Sequence, residues 1–152
     1  MPWGGRMRNS RGFTLIELLV AIAVLAIIAM LAAPSFSEMM LKQNLRKSAQ
    51  ELANVLVQAR AKAALERREV TVQLNTSAIA DTDVQFNWMP NGKSVLKAGS
   101  PTTITFLSTG LIKNATTDTS FTVCEKASGS LSKTVSISKM GTIQQVVEGT
   151  CS

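Results

Sequence analysis

The sequence predicts an α+β fold in which one long N-terminal helix, membrane-spanning in its first half and amphipathic in its second, packs on a mostly antiparallel β-sheet domain. Three observations predict it. Phe13 to Ala33 is an apolar run of 21 residues with a single charge, Glu17. Beyond it Leu41, Leu45, Ala49, Leu52, Leu56, Ala59 and Ala63 recur at steps of three and four, the spacing of one helix face. From Thr71 onward Ser and Thr supply 25 of the last 82 residues, and β-branched alternation replaces the helical stripe.

The first element is a leader, residues 1–12, MPWGGRMRNSRG, whose only charges are Arg6, Arg8 and Arg11. A basic flank ahead of an apolar segment stays in the cytoplasm, so the rest of the chain is expected on the far side of the membrane. The second element, residues 13–33, is long enough to cross a hydrocarbon core of roughly 30 Å as a helix. It exceeds the roughly 7 to 15 apolar residues of a cleavable secretory signal, and helical periodicity continues past it. Glu17 is the anomaly. A carboxylate in such a segment costs about 2 to 3 kcal/mol or more, whereas the helix dipole at the first turn returns only a few tenths. A cation is therefore expected as its partner. The plainer reading, a single-span anchor with an incidental acid, requires the basic leader, the acid and the continuing helix to coincide by accident.

The third element, residues 34–69, continues the helix after a local interruption expected at Pro34. Its apolar stripe faces a globular body, and Lys42, Arg46, Lys47, Gln50, Gln58 and Lys62 form the solvated face. The helix is expected to end between Glu66 and Glu69, where the β-rich domain, residues 70–152, begins. Strands are predicted at Val70–Leu74, Val84–Met89, Ser94–Lys97, Thr102–Leu107, Phe121–Cys124, Thr134–Met140 and Ile143–Val147. Pro90-Asn91-Gly92 reads as the turn leading into Ser94–Lys97, and Gly110 and Gly141 read as turns.

Composition restricts the chemistry. The 152 residues contain no histidine, which removes Ser-His-Asp and Cys-His catalysis and histidine metal sites. No nucleophile and base, metal cluster or phosphate loop is recognisable, so neither an enzyme nor a cofactor is expected. Without the three leader arginines, the 16 basic side chains fall to 13 against 10 acidic, a weak basis for attracting polyanions. Cys124 and Cys151 are expected to form a disulfide, since an exported domain meets an oxidising compartment. Two separate thiols are the alternative, and a redox-active pair would need the absent Cys-x-x-Cys spacing.

Gly12-Phe13-Thr14-Leu15-Ile16-Glu17 resembles the class III signal of type IV prepilins and pseudopilins. The resemblance implies cleavage by prepilin peptidase between Gly12 and Phe13, methylation of the new Phe13 amine, and Glu17 as the fifth residue of the mature chain. It also supplies the missing cation: a free α-amino group has a pKa of roughly 8, so Phe13 of one copy can pair with Glu17 of its neighbour. In low dielectric that pairing favours one axial register. The partners implied are the peptidase, other pilin or pseudopilin subunits along the N-terminal helix, and inner-membrane lipid before assembly. The location implied is a single-pass inner-membrane protein with a periplasmic C-terminal domain that later enters a pilus or pseudopilus.

Residues 12–69, notably Ala33-Pro34-Ser35-Phe36 and the Ala49 to Ala63 stretch, are similar to minor pilins and pseudopilins of the FimT, FimU and GspH kind. That group implies a subunit at or near a filament tip that helps initiate assembly, serving twitching and adhesion. A GspH-like subunit of type II secretion and a FimT-like DNA-binding pilin for natural transformation are the alternatives. DNA binding in this group would require Gly-Arg-x-Arg where this chain has Gly141-Thr142-Ile143-Gln144. Lys126, Lys133 and Lys139 are the remaining candidates for a small basic patch giving weak, salt-sensitive contacts to DNA.

Overall fold

The computed structural model describes Met1, residues 12–74 and residues 79–151. They divide into two compact units, Met1–Ser37 and Glu38–Ser152, and helix α1, Leu15–Glu66, supplies residues to both.

In the first unit α1 buries nothing within the chain. An 18-residue window has a mean hydropathy of 2.9 and no buried share, long and apolar enough to cross a membrane. Leu15, Ile16 and the Leu, Ile and Val side chains after them are all exposed. So much bare apolar area is a surface built to be covered by lipid or by other helices. Pro34 lies inside α1, which stays helical through it, so the interruption expected there is absent. Proline removes a single N–H, the donor for the Met30 carbonyl, and the remaining ladder persists.

In the second unit α1 turns Leu45, Ala49, Leu52, Leu56, Ala59 and Ala63 into the core. The expected stripe is observed apart from Leu41, which is half-buried. Each fully buried leucine contributes roughly 1.5 to 3 kcal/mol relative to exposure. The alanines let strand side chains approach the helix closely.

Among the described residues seven strands follow: β1 (Val70–Leu74), β2 (Gln85–Trp88), β3 (Val95–Leu96), β4 (Thr103–Phe106), β5 (Thr119–Cys124), β6 (Leu131–Ile137) and β7 (Val147–Thr150). They form two sheets, one ordered β2-β1-β4 and the other β3-β5-β6-β7. Among the described residues only β1 and β2 pair in parallel. Val70, Val72 and Leu74 alternate inward on β1, and Phe121, Val123, Val135 and Ile137 fill the core from β5 and β6. The expectation of mostly antiparallel strands against a helix is met, with two sheets in place of one.

The Pro90-Asn91-Gly92 turn leads into β3 as expected and connects strands of different sheets. It also docks on α1: the Asn91 N–H donates to the Ser48 hydroxyl at 2.8 Å, and the Asn91 amide donates to Glu51. Ser48 is itself fully buried, and its hydroxyl donates to the Asn44 carbonyl at 2.8 Å. Two local expectations need correction. The strand expected at Thr134–Met140 begins three residues earlier, in register with β5 from Cys124↔Ser132 to Thr119↔Ile137. The last strand is Val147–Thr150, not Ile143–Val147; Ile143 makes only an isolated bridge to Ile137. The tight turn at Gly141 consumes the residues that alternation alone would place in a strand.

Candidate processing and assembly site

Helix α1 begins two residues after Phe13, and its start is fixed by Thr14. The Thr14 carbonyl accepts the Leu18 N–H at 3.2 Å, and its hydroxyl accepts the Glu17 N–H at 3.3 Å. Thr14 is therefore the N-cap, and Thr14-x-x-Glu17 has the capping-box spacing, a signal the composition-led reading passed over. The cap places Glu17 in the first turn and keeps Gly12 and Phe13 outside the helix. Gly12 has open space around the position a Cβ would take, and Phe13 is exposed. The bond between them lies in non-helical, accessible backbone, which a peptidase can bind in extended form. Arg6, Arg8 and Arg11 of the leader lie outside the described residues. Among the described residues no cation pairs with Glu17.

The three lysines considered for DNA lie on β6 and at either end of it. Lys133, on β6, lies directly across from Glu148 on β7 and its Nζ donates to Glu148 Oε1 at 2.7 Å. Lys126 lies in the loop after β5, and Lys139 lies two residues past the opposite end of β6. At about 3.3 Å per strand residue, the four steps from Lys133 to Ile137 at the end of β6 already span roughly 13 Å, and Lys139 lies in the turn beyond it.

Cys124 and Cys151 are joined in a disulfide with a sequence separation of 27. It fastens the chain immediately after β7 to the end of β5. Opening a loop of that size releases roughly 3 to 4 kcal/mol of constraint in the chain-entropy view. A Cys151→Ser variant is expected to melt correspondingly lower, and reduction of the wild type should reproduce the shift; equal melting temperatures would contradict it.

Arg60 emerged only as part of a helical pattern in the sequence, yet it ties both sheets' connections to α1. Its Nε donates to the Gly110 carbonyl at 3.2 Å, in the turn after β4, and its Nη2 to the Met140 carbonyl at 3.2 Å, in the turn after β6. A planar guanidinium presents its donors in a fixed fork that matches two set carbonyls, whereas an ammonium is a single point of donation on a flexible stem.

An exposed apolar helix preceded by Gly-Phe-Thr and carrying a lone carboxylate in its first turn, continued by an amphipathic segment on a β domain, defines a pilin-like subunit. The chain belongs to the family of the type II transport protein GspH, whose model matches residues 48–141, more than half of its length. The prokaryotic N-terminal methylation motif matches residues 7–33. Together these place it among type IV pilin-like proteins of the FimT, FimU and GspH group. The fold is similar to a crystal structure of the type IV minor pilin FimU of Pseudomonas aeruginosa, with TM-score 0.51 and 21% identity over 68% of this chain and 88% of that one. A second crystal form of FimU gives TM-score 0.47 and 24% identity over 66% and 90%. No curated protein matches significantly.

Proposed function

We propose that the chain is a minor pilin of a type IV pilus, a structural subunit and not an enzyme. Prepilin peptidase cleaves it after Gly12 and the Phe13 amine is methylated. It waits in the inner membrane as a single span with its C-terminal domain in the periplasm, and enters the filament at or near the tip to help initiate assembly. The observation that carries the reading is Glu17, the only charge in a helix segment that buries none of its apolar surface in its own chain. Both anomalies are relieved by one event, lateral packing against other such helices, where a neighbour's terminal amine meets the acid.

A second reading, a minor pseudopilin of type II secretion, is favoured by the match of residues 48–141 to the GspH family. A deletion strain scored in parallel for pilus display, twitching, transformation and secretion separates the two. Display and twitching are expected to fail with secretion intact; a defect confined to secretion would reverse the choice of machine. A DNA-binding role gains no support from Lys133, which is engaged by Glu148.

A further inference from the structure

The connection between β2 and β3 carries the only asparagine in the chain that is followed by glycine, Asn91-Gly92. With no side chain on the following residue, the next main-chain nitrogen can reach the asparagine carboxamide and close a succinimide ring. Gly92 is exposed, so solvent base reaches that nitrogen, and among the described residues the Gly92 N–H makes no hydrogen bond. The turn itself is tight. Gly92 has φ +60°, and the Ser94 N–H donates to the Asn91 carbonyl at 3.1 Å.

Docking on α1 restrains this chemistry. The Asn91 N–H is held by the Ser48 hydroxyl at 2.8 Å, and the Asn91 carboxamide donates to Glu51, which also faces Lys47 at 3.7 Å. A Cβ on Gly92 would collide with the Asn44 amide, so the turn lies directly on the helix. The carboxamide must leave Glu51 before it can rotate onto the Gly92 nitrogen. Release is not opposed at every point. Ser94, at the end of the connection, is buried, its hydroxyl finds no partner among the described residues, and opening hydrates it.

We propose that Asn91 is a site of covalent self-modification, at which release of the turn from α1 is made permanent by deamidation. The Gly92 nitrogen attacks Asn91 Cγ, its proton passes through solvent to the departing nitrogen, and ammonia leaves as the new C–N bond completes the succinimide. Water then opens the ring. Cleavage between the Gly92 nitrogen and Cγ gives an aspartate; cleavage between that nitrogen and the main-chain carbonyl gives an isoaspartate, whose chain runs through the side chain and is longer by a methylene. Carboxamide and water have become carboxylate and ammonium, with no oxidation or reduction. Neither product re-docks as Asn91 does, because a carboxylate has no donor for Glu51 and meets it as a like charge. Lys47 is the cation paired with Glu51, and Lys93 lies exposed on the outer part of the turn.

The test follows the full chain in detergent micelles through prolonged incubation in mildly alkaline buffer, with peptide mapping by mass spectrometry to read the exchange of amide for acid at position 91. The same chain in denaturant gives the unrestrained rate. Folded wild type is expected to convert at Asn91, more slowly than in denaturant by about tenfold or more. Glu51→Ala removes the acceptor at a side chain that is 43% exposed, so the fold survives. It is expected to speed conversion in the folded state by about fivefold or more and to leave the rate in denaturant unchanged. Asn91→Asp, one of the two products, is expected to raise hydrogen exchange across residues 89–94 by about tenfold. A folded chain unconverted at Asn91 once the denatured chain has reacted, equal folded-state rates in Glu51→Ala and wild type, or wild-type exchange in Asn91→Asp would each overturn the proposal. None of these readings involves a filament, so they are independent of the function proposed above.

Discussion

A Glu17→Gln chain is expected to be cleaved and to remain in the membrane, yet its share in sheared filaments should fall by about a hundredfold or more relative to the membrane pool. Removing one partner of a buried ion pair leaves the other charge uncompensated, at about 3 to 5 kcal/mol, and each tenfold in partition is about 1.4 kcal/mol. Glutamine keeps an acceptor oxygen but not the charge, so the variant isolates the Coulomb term from the hydrogen bond. Glu17→Leu removes both and should be at least as defective. The leucine variant also separates assembly from insertion, because exchanging a carboxylate for an alkyl group makes the span cheaper to insert by about 2 to 3 kcal/mol. Quantitative immunoblotting of filament and membrane fractions, with N-terminal sequencing to verify cleavage, reads both effects. Either variant reaching filaments at the wild-type proportion would remove Glu17 from the assembly mechanism.

What the sequence makes legible here is whatever is encoded locally or periodically. The stripe from Leu45 to Ala63 announces the buried helix face because helical spacing is fixed, and Val70–Leu74 alternates cleanly because one face of β1 is buried. The Gly12-Phe13 to Glu17 motif is legible for the same reason, being contained in six consecutive residues. What escapes depends on distant partners. The Asn91-Gly92 turn is visible, but its attachment to Ser48, 43 residues away, is not. The start of β7 is set by pairing with β6 and by the tie of Cys151 to Cys124, not by its own alternation. Arg60 illustrates the limit best. Nothing about an arginine on a helix reveals that its two acceptors lie 50 and 80 residues further along the chain.

That arrangement makes Gly141 sensitive to a single methyl group. Gly141 has φ +79°, and a Cβ there would lie 2.3 Å from the Gly110 carbonyl oxygen and 2.9 Å from Arg60 Nε. The left-handed conformation costs a non-glycine residue about 1 to 2 kcal/mol. Pushing the Gly110 carbonyl away also strains a charged hydrogen bond of the kind that contributes about 1.5 to 3 kcal/mol. Gly141→Ala is therefore expected to destabilise the fold by about 3 to 5 kcal/mol, lowering the melting temperature by more than about 10 °C. Gly99 provides the internal comparison: its φ is +88°, but nothing lies within 4 Å of an added Cβ. Gly99→Ala should show the backbone cost alone, about 1 to 2 kcal/mol. Thermal melts of the two variants and of Arg60→Lys, on the full chain, decide the matter. If Gly141→Ala melts with Gly99→Ala, or Arg60→Lys melts with the wild type, the two glycine turns are not held together by the guanidinium. If Gly141→Ala and Arg60→Lys both fall well below the comparison, one side chain on α1 sets the spacing between the connections of both sheets.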